Sequence, residues 1–153
     1  MKLSKNFSLK EMTTSSTATR LRIPNEPQPE HLINLAVLVH KILQPVRDKF
    51  GVVTVNSGYR SSQLNKAVGG SQTSQHCNGE AADIECYGVP NKQLAEWIRD
   101  NCDFDQIILE FYDPADPQSG WVHVSNKLDG NNRKACLSAV REGGRLVYRK
   151  GYV

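Results

Sequence analysis

Residues 104–112, FDQIILEFY, and residues 121–125, WVHVS, are two short runs rich in β-branched and aromatic side chains, separated by the eight-residue stretch DPADPQSG. Two prolines and a glycine cannot continue a ladder, so this stretch turns the chain and the runs pair as antiparallel strands. Alternate side chains of a strand share a face. Gln106, Ile108 and Glu110 therefore form one row, and Trp121, His123 and Ser125 another. If the rows lie on the same side of the sheet, Glu110 stands close to whatever His123 holds, and the register decides this.

Upstream, Leu32, Leu35, Val39, Ile42, Leu43 and Val46 recur at three- and four-residue steps. That period predicts an amphipathic helix over residues 30–50, bent by Pro45 in its last turns. VVTVNS (52–57) predicts a strand, Ser61 caps a short helix through Leu64 and Ala67, and Gly69-Gly70 ends it. A polar loop, SQTSQHCNG, leads into a strand at residues 80–87. A helix then begins at Pro90-Asn91 and ends near Asn101. The tail from Arg133 adds a strand at CLSAV and a hairpin around Gly143-Gly144. The first 29 residues read as a surface segment, with a short helix at residues 8–13 and then polar, proline-rich chain. The expectation is one domain, 1–153, with its core in 30–153.

The bulk properties exclude several classes. No apolar run approaches the roughly 20 residues that span a bilayer, so no membrane partner is expected. A net charge of +3, with a basic cluster only at Arg141, Arg145, Arg149 and Lys150, offers neither a basic stripe nor a nucleic-acid reading motif. Cys77, Cys86, Cys102 and Cys136 form no CxxC pair, which argues against a thiolate zinc cage and for reduced, partly buried thiols. The opening MKLSKNFSLKEM has no apolar stretch behind its lysines, so synthesis in a cytoplasm without a signal peptide is expected. A monomer is expected.

His76, Asp83 and His123 are ligand types that zinc accepts, and three protein ligands leave a fourth position open for water, the pattern of a catalytic zinc site. Zinc held there lowers the pKa of its water from about 15.7 to near 7. A carboxylate must then take a proton and hand it to a leaving amine, and Glu110 is the candidate. Arg60, in SGYRSS, offers a forked guanidinium to a substrate carboxylate or carbonyl; its blander role is a loop arginine paired with a nearby acid. Ser74 supports the site by hydrogen bonding or merely caps its loop. His31 and His40 lack partners at ligand spacing and read as packing or surface residues.

SGYRS followed by SQHCNGEAAD resembles the signature of the zinc D-Ala-D-Ala carboxypeptidases and L-Ala-D-Glu endopeptidases, metallopeptidase family fifteen, in which Ser-x-His-x-x-Gly-x-Ala-x-Asp supplies two zinc ligands. WVHVS resembles the later strand that carries the third. The likeness runs roughly from Leu32 to Ser125 and is closest to the short, phage- and prophage-associated branch, whose members often read LNxAVGGSxTSQHxxGxAADI.

The resemblance implies a hedgehog-like α+β fold with a central antiparallel sheet and packed helices. It also implies one zinc on His76, Asp83 and His123, and Arg60 as the arginine that binds substrate and stabilises the transition state. The implied activity is hydrolysis of peptide bonds in peptidoglycan stems, of DD-carboxypeptidase or L-Ala-D-Glu endopeptidase type, as in a phage endolysin released to the cell wall by a holin or carried on a virion. Ser74 and Gln106 are further substrate-contact candidates. One departure stands out: many relatives place the catalytic glutamate three residues before the third ligand, where this chain has Gly120. Glu110, or Asp113 or Asp116 from the loop, then substitutes, or the protein is a non-catalytic peptidoglycan-binding or virion structural module that keeps the zinc fold.

Overall fold

A computed structural model of the chain describes residues 1–152. In chain order it contains α1 (Leu9–Thr13), α2 (Ser16–Leu21), α3 (Pro29–Leu38), a π-helical turn (Val39–Leu43), α4 (Gln44–Phe50), β1 (Val53–Ser57), α5 (Ser62–Ala67), a 3-10 turn (Gln75–Asn78), β2 (Ala81–Cys86), α6 (Asn91–Asn101), β3 (Gln106–Glu110), β4 (Trp121–Ser125), β5 (Ala135–Glu142) and β6 (Arg145–Lys150). The fold is α+β. Its strands form one open sheet in the order β1-β2-β4-β3-β5-β6.

The sheet is mixed rather than wholly antiparallel, because β5 runs parallel to β3. Ser125 at the end of β4 lies beside Gln106 at the start of β3. The loop 126–134 only has to cross that end of the sheet, so β5 starts beside Gln106 and runs alongside it. Asp105 fixes the crossing by accepting from the Arg133 backbone N–H at 2.8 Å. The tail after it is a single hairpin of β5 and β6, whose two-residue turn, Gly143-Gly144, has φ of 57° and 79°, as a type I′ turn requires.

Helix 29–50 differs locally from a simple bent helix. Pro45 lacks an N–H and its ring crowds the carbonyl four residues back. The backbone accommodates it one turn early: the Gln44 N–H bonds to the Val39 carbonyl, five residues away, within the π-helical turn. The predicted apolar stripe is otherwise retained, with Leu35, Val39, Ile42, Leu43 and Val46 fully buried and Leu38 beside them. These side chains pack with Leu94, Ala95 and Ile98 of α6 against Ala82, Ile84, Ile107, Leu109, Val122 and Val124 of the sheet. At roughly 1.5–3 kcal/mol per fully buried aliphatic side chain, this cluster is the main source of stability. The opposite row of each central strand is left free for a site.

The first 29 residues are not only a surface wrap. Phe7 and Met12 are buried in the same core cluster, so the N-terminal segment belongs to the packed body. Ser8 and Ser15 cap α1 and α2 by accepting from the backbone N–H groups of Glu11 and Ala18. Among the described residues no helix is long and apolar enough to cross a membrane.

Candidate metal centre

Register places the site. Asp83 of β2 and Ile108 of β3 both lie opposite His123 of β4, and Glu110 lies opposite Trp121. Directly opposed residues share a face, so Asp83, His123 and Ile108 form a row across three strands. Glu110 stands two residues along β3 on that same face. The condition that the sequence left open, rows on one side, is met.

His76 arrives from outside the sheet. Its 3-10 turn begins at Ser74, whose hydroxyl accepts from the His76 backbone N–H at 3.2 Å. The imidazole is buried, with Nδ1 2.7 Å from the Gly58 carbonyl oxygen. A proton on Nδ1 satisfies that carbonyl and leaves Nε2 as the free lone pair, the arrangement by which a backbone carbonyl orients a metal-binding histidine. Gly58 is itself pressed against the end of α1: a Cβ there would collide with the Met12 carbonyl, and the Tyr59 N–H donates to the same carbonyl at 2.8 Å. The N-terminal segment thus holds the carbonyl that holds His76.

The donor set fits a metal. Asp83 Oδ1 lies 3.3 Å from His76 Nε2 and 3.0 Å from His123 Nδ1, and one ligand atom from each residue falls within 4.8 Å of the other two. A tetrahedral zinc with bonds of about 2.0–2.1 Å has ligand-to-ligand edges of about 3.3 Å, so the two shorter separations are already those of a shared ion. Burial alone would raise the Asp83 carboxyl, but contacts from His123 and His76 outweigh it and hold the group well below the carboxylate range. Burial pushes His76 below its ordinary value against the pull of Asp83, favouring the neutral imidazole that a metal needs.

Around the triad lies a cleft of about 470 Å³ whose lining includes Arg60, Ser74, Gln106, Glu110 and Trp121. Arg60 donates from Nε to Ser57 Oγ at 3.1 Å and from Nη1 to Asn65 Oδ1 at 3.0 Å. Its Nη2 stands 3.6 Å from Asp83 Oδ2. Two of its faces are thus fixed and the third is aimed at the site. The acid pairing expected of a plain loop arginine is present, and the acid is Asp83 itself. Burial, and then the charge of Asp83, push the Glu110 carboxyl up to about 7 against the opposing pull of His123 and Arg60.

Asp113 and Asp116 are exposed and occupied in their own loop, accepting from the backbone N–H groups of Ala115 and Gln118. Gly120 has φ of 67°, and a Cβ there would run into the Glu110 carbonyl oxygen, so this backbone admits no glutamate at that position. Ser74 caps the turn, and both Ser74 and Gln106 line the cleft. Cys77 lies outside the triad, and all four cysteines are free.

Several residues had no signal in the sequence. Ser57 and Asn65 accept from Arg60, and the Gly58 carbonyl faces His76 Nδ1, roles that no local pattern announces. Asp105, fully buried, accepts from Gln75 Nε2 at 3.1 Å and from Arg133 Nη2 at 2.8 Å, tying the turn that carries His76 to β3. Position beside His76 is the sole hint Gln75 offers.

A model of the family described as Peptidase M15 matches residues 5–125, a span that contains Arg60, His76, Asp83, Glu110 and His123 and stops before β5 and β6. No curated protein matches the chain. With most of the chain matched and the His-Asp-His triad assembled within it, the chain belongs to the Peptidase M15 family.

Proposed function

We propose that this protein is a zinc peptidase that hydrolyses peptide bonds in the stem peptides of bacterial peptidoglycan, with His76, Asp83 and His123 holding the metal. The observation that carries the proposal is the convergence of these three donors at zinc spacing beside a carboxyl poised near neutrality. Zinc in such a site supplies acidified water and a Lewis acid for the scissile carbonyl.

The chain's own residues supply the rest. Glu110 takes a proton from the attacking water and returns it to the leaving amine, a task suited to a carboxyl pushed up to about 7. Arg60, clamped by Ser57 and Asn65, presents its remaining N–H groups to a carbonyl or carboxylate of the peptide. Ser74 keeps the His76 turn in shape, and Gln106 offers an amide to the peptide backbone. Both DD-carboxypeptidase and L-Ala-D-Glu endopeptidase action are compatible with this chemistry. We place this activity in a wall-lytic setting, that of a phage endolysin acting once released, on the resemblance of LNKAVGGSQTSQHCNGEAADI to the phage-associated pattern.

A non-catalytic peptidoglycan-binding or virion module is the second reading, and Gly120 is what favours it. Glu110, facing the cleft one strand away, supports catalysis instead. The test is digestion of purified murein by the zinc-loaded protein, with the fragments read by mass spectrometry. New amino termini from the stem peptide are expected and name the bond; binding to murein with no new termini would favour the module.

A further inference from the structure

The sheet continues beyond the family-matched segment through β5 and β6, and this extension reaches the cleft. In-register neighbours run Trp121, Glu110, Ala139, Tyr148 across β4, β3, β5 and β6. Their side chains therefore share the face that carries the triad. Ala139, fully buried, ends at Cβ and leaves the space between Glu110 and Tyr148 to the larger side chains. Tyr148 lines the cleft together with Glu110 and Trp121.

Beyond residue 125 the cleft is also lined by Arg133, whose guanidinium is committed to both carboxylate oxygens of Asp105. Tyr148 is in a different situation. It is 53% exposed, and its hydroxyl has no hydrogen-bond partner among the described residues. Burial first, and the Glu110 charge second, push its phenol above the ordinary value, so at neutral pH it remains a protonated donor. A half-exposed aromatic ring with a free donor at its tip is suited to a polar ligand that also covers apolar area.

We propose that Tyr148 is a substrate-contacting residue: its ring walls the Glu110 side of the cleft, its hydroxyl donates to an oxygen of the bound peptide, and the β5–β6 hairpin is thereby a recognition element for the substrate. This rests on the peptidase reading above. The ligand class is an extended peptide bearing a carbonyl or carboxylate oxygen within reach of the phenol.

The test compares the full zinc-loaded chain with Tyr148→Phe and Tyr148→Ala on a soluble stem pentapeptide, reading kcat, KM, zinc content and melting temperature. Tyr148→Phe is expected to raise KM by about 5- to 10-fold, the value of one net hydrogen bond, with kcat, zinc and melting temperature unchanged; Tyr148→Ala is expected to raise KM further. Wild-type KM in Tyr148→Phe, or loss of zinc or of melting temperature in that variant, would overturn the proposal. Failure of the wild type to cleave the pentapeptide would instead contradict the peptidase reading. In that case calorimetric binding of the same pentapeptide decides: binding weakened about 5- to 10-fold by Tyr148→Phe supports the contact, and no binding, or equal binding, overturns it.

Discussion

Asp83 and His123 are direct cross-strand partners on β2 and β4, and their side chains meet at 3.0 Å between Oδ1 and Nδ1. A pair placed by main-chain register is preorganised by the whole sheet, and only His76 has to be brought in by a loop. The site's most vulnerable ligand is therefore His76, which depends on the cap from Ser74 and the carbonyl of Gly58.

His76→Ala should lower zinc affinity by more than about 100-fold, since loss of an outer partner alone costs about 10- to 100-fold. Release of new amino termini from murein should stop with it. Calorimetric zinc titration and murein digestion check this, and unchanged lysis would reject the proposed site.

Glu110→Gln should keep zinc and lower kcat by about 10²- to 10⁴-fold, the usual contribution of a positioned general base. The base must be ionised, so wild-type activity should rise with pH through the Glu110 value, which is about 7 in the metal-free chain. A cation held beside it favours the ionised form and moves that limb lower. The pH profile of kcat/KM checks the sign: Glu110→Gln should lack the limb, and its persistence would assign it elsewhere.

The legible part of the site was the part written in local chain order. His76 and Asp83 stand in one loop-strand pattern, and His123 and Glu110 stand at alternate positions of two strands, so period two was enough to put each on a face. Register, which decides whether the faces coincide, is set by long-range pairing and had to be seen. The parallel course of β5 was hidden for the same reason, because it depends on where β4 ends in space. Phe7 and Met12 were missed because Leu3, Phe7, Leu9 and Met12 are spread over a short, lysine-bearing segment too brief to show a sustained period. Ser57 and Asn65 were missed because serine and asparagine near a glycine look like any turn, and only coordinates show the arginine they clamp.

Gly120→Glu, which would restore the glutamate of the relatives, should not restore their geometry. At φ of 67° a Cβ strikes the Glu110 carbonyl, so the strand end must shift. The expected cost is at least about 2 kcal/mol of stability, measured by chemical denaturation, with lower activity. A stable and more active Gly120→Glu variant would contradict the assignment of Glu110.

Asp105→Asn should destabilise the fold by about 2 kcal/mol, the range for charge-assisted hydrogen bonds at a buried carboxylate. Burial works to raise the Asp105 carboxyl, but the bonds and charge of Arg133, with Lys127, outweigh it and the folded-state value is lowered. A lowered value means that its contribution is complete above the ordinary carboxylate range of about 4 and is lost as pH falls through the folded-state value. Denaturation of wild type and Asp105→Asn at a series of pH values should therefore show a gap at pH 7 that closes in acid. A gap that stays constant down to low pH would exclude the carboxylate as its source.

The most direct measurement is X-ray absorption at the zinc edge on the full chain loaded with one equivalent of zinc. A first shell of nitrogen and oxygen only is expected, at about 2.0–2.1 Å, with the outer scattering of two imidazoles and loss of one imidazole in His76→Ala. A sulfur shell at about 2.3 Å, or no imidazole scattering, would contradict a centre built on His76, Asp83 and His123.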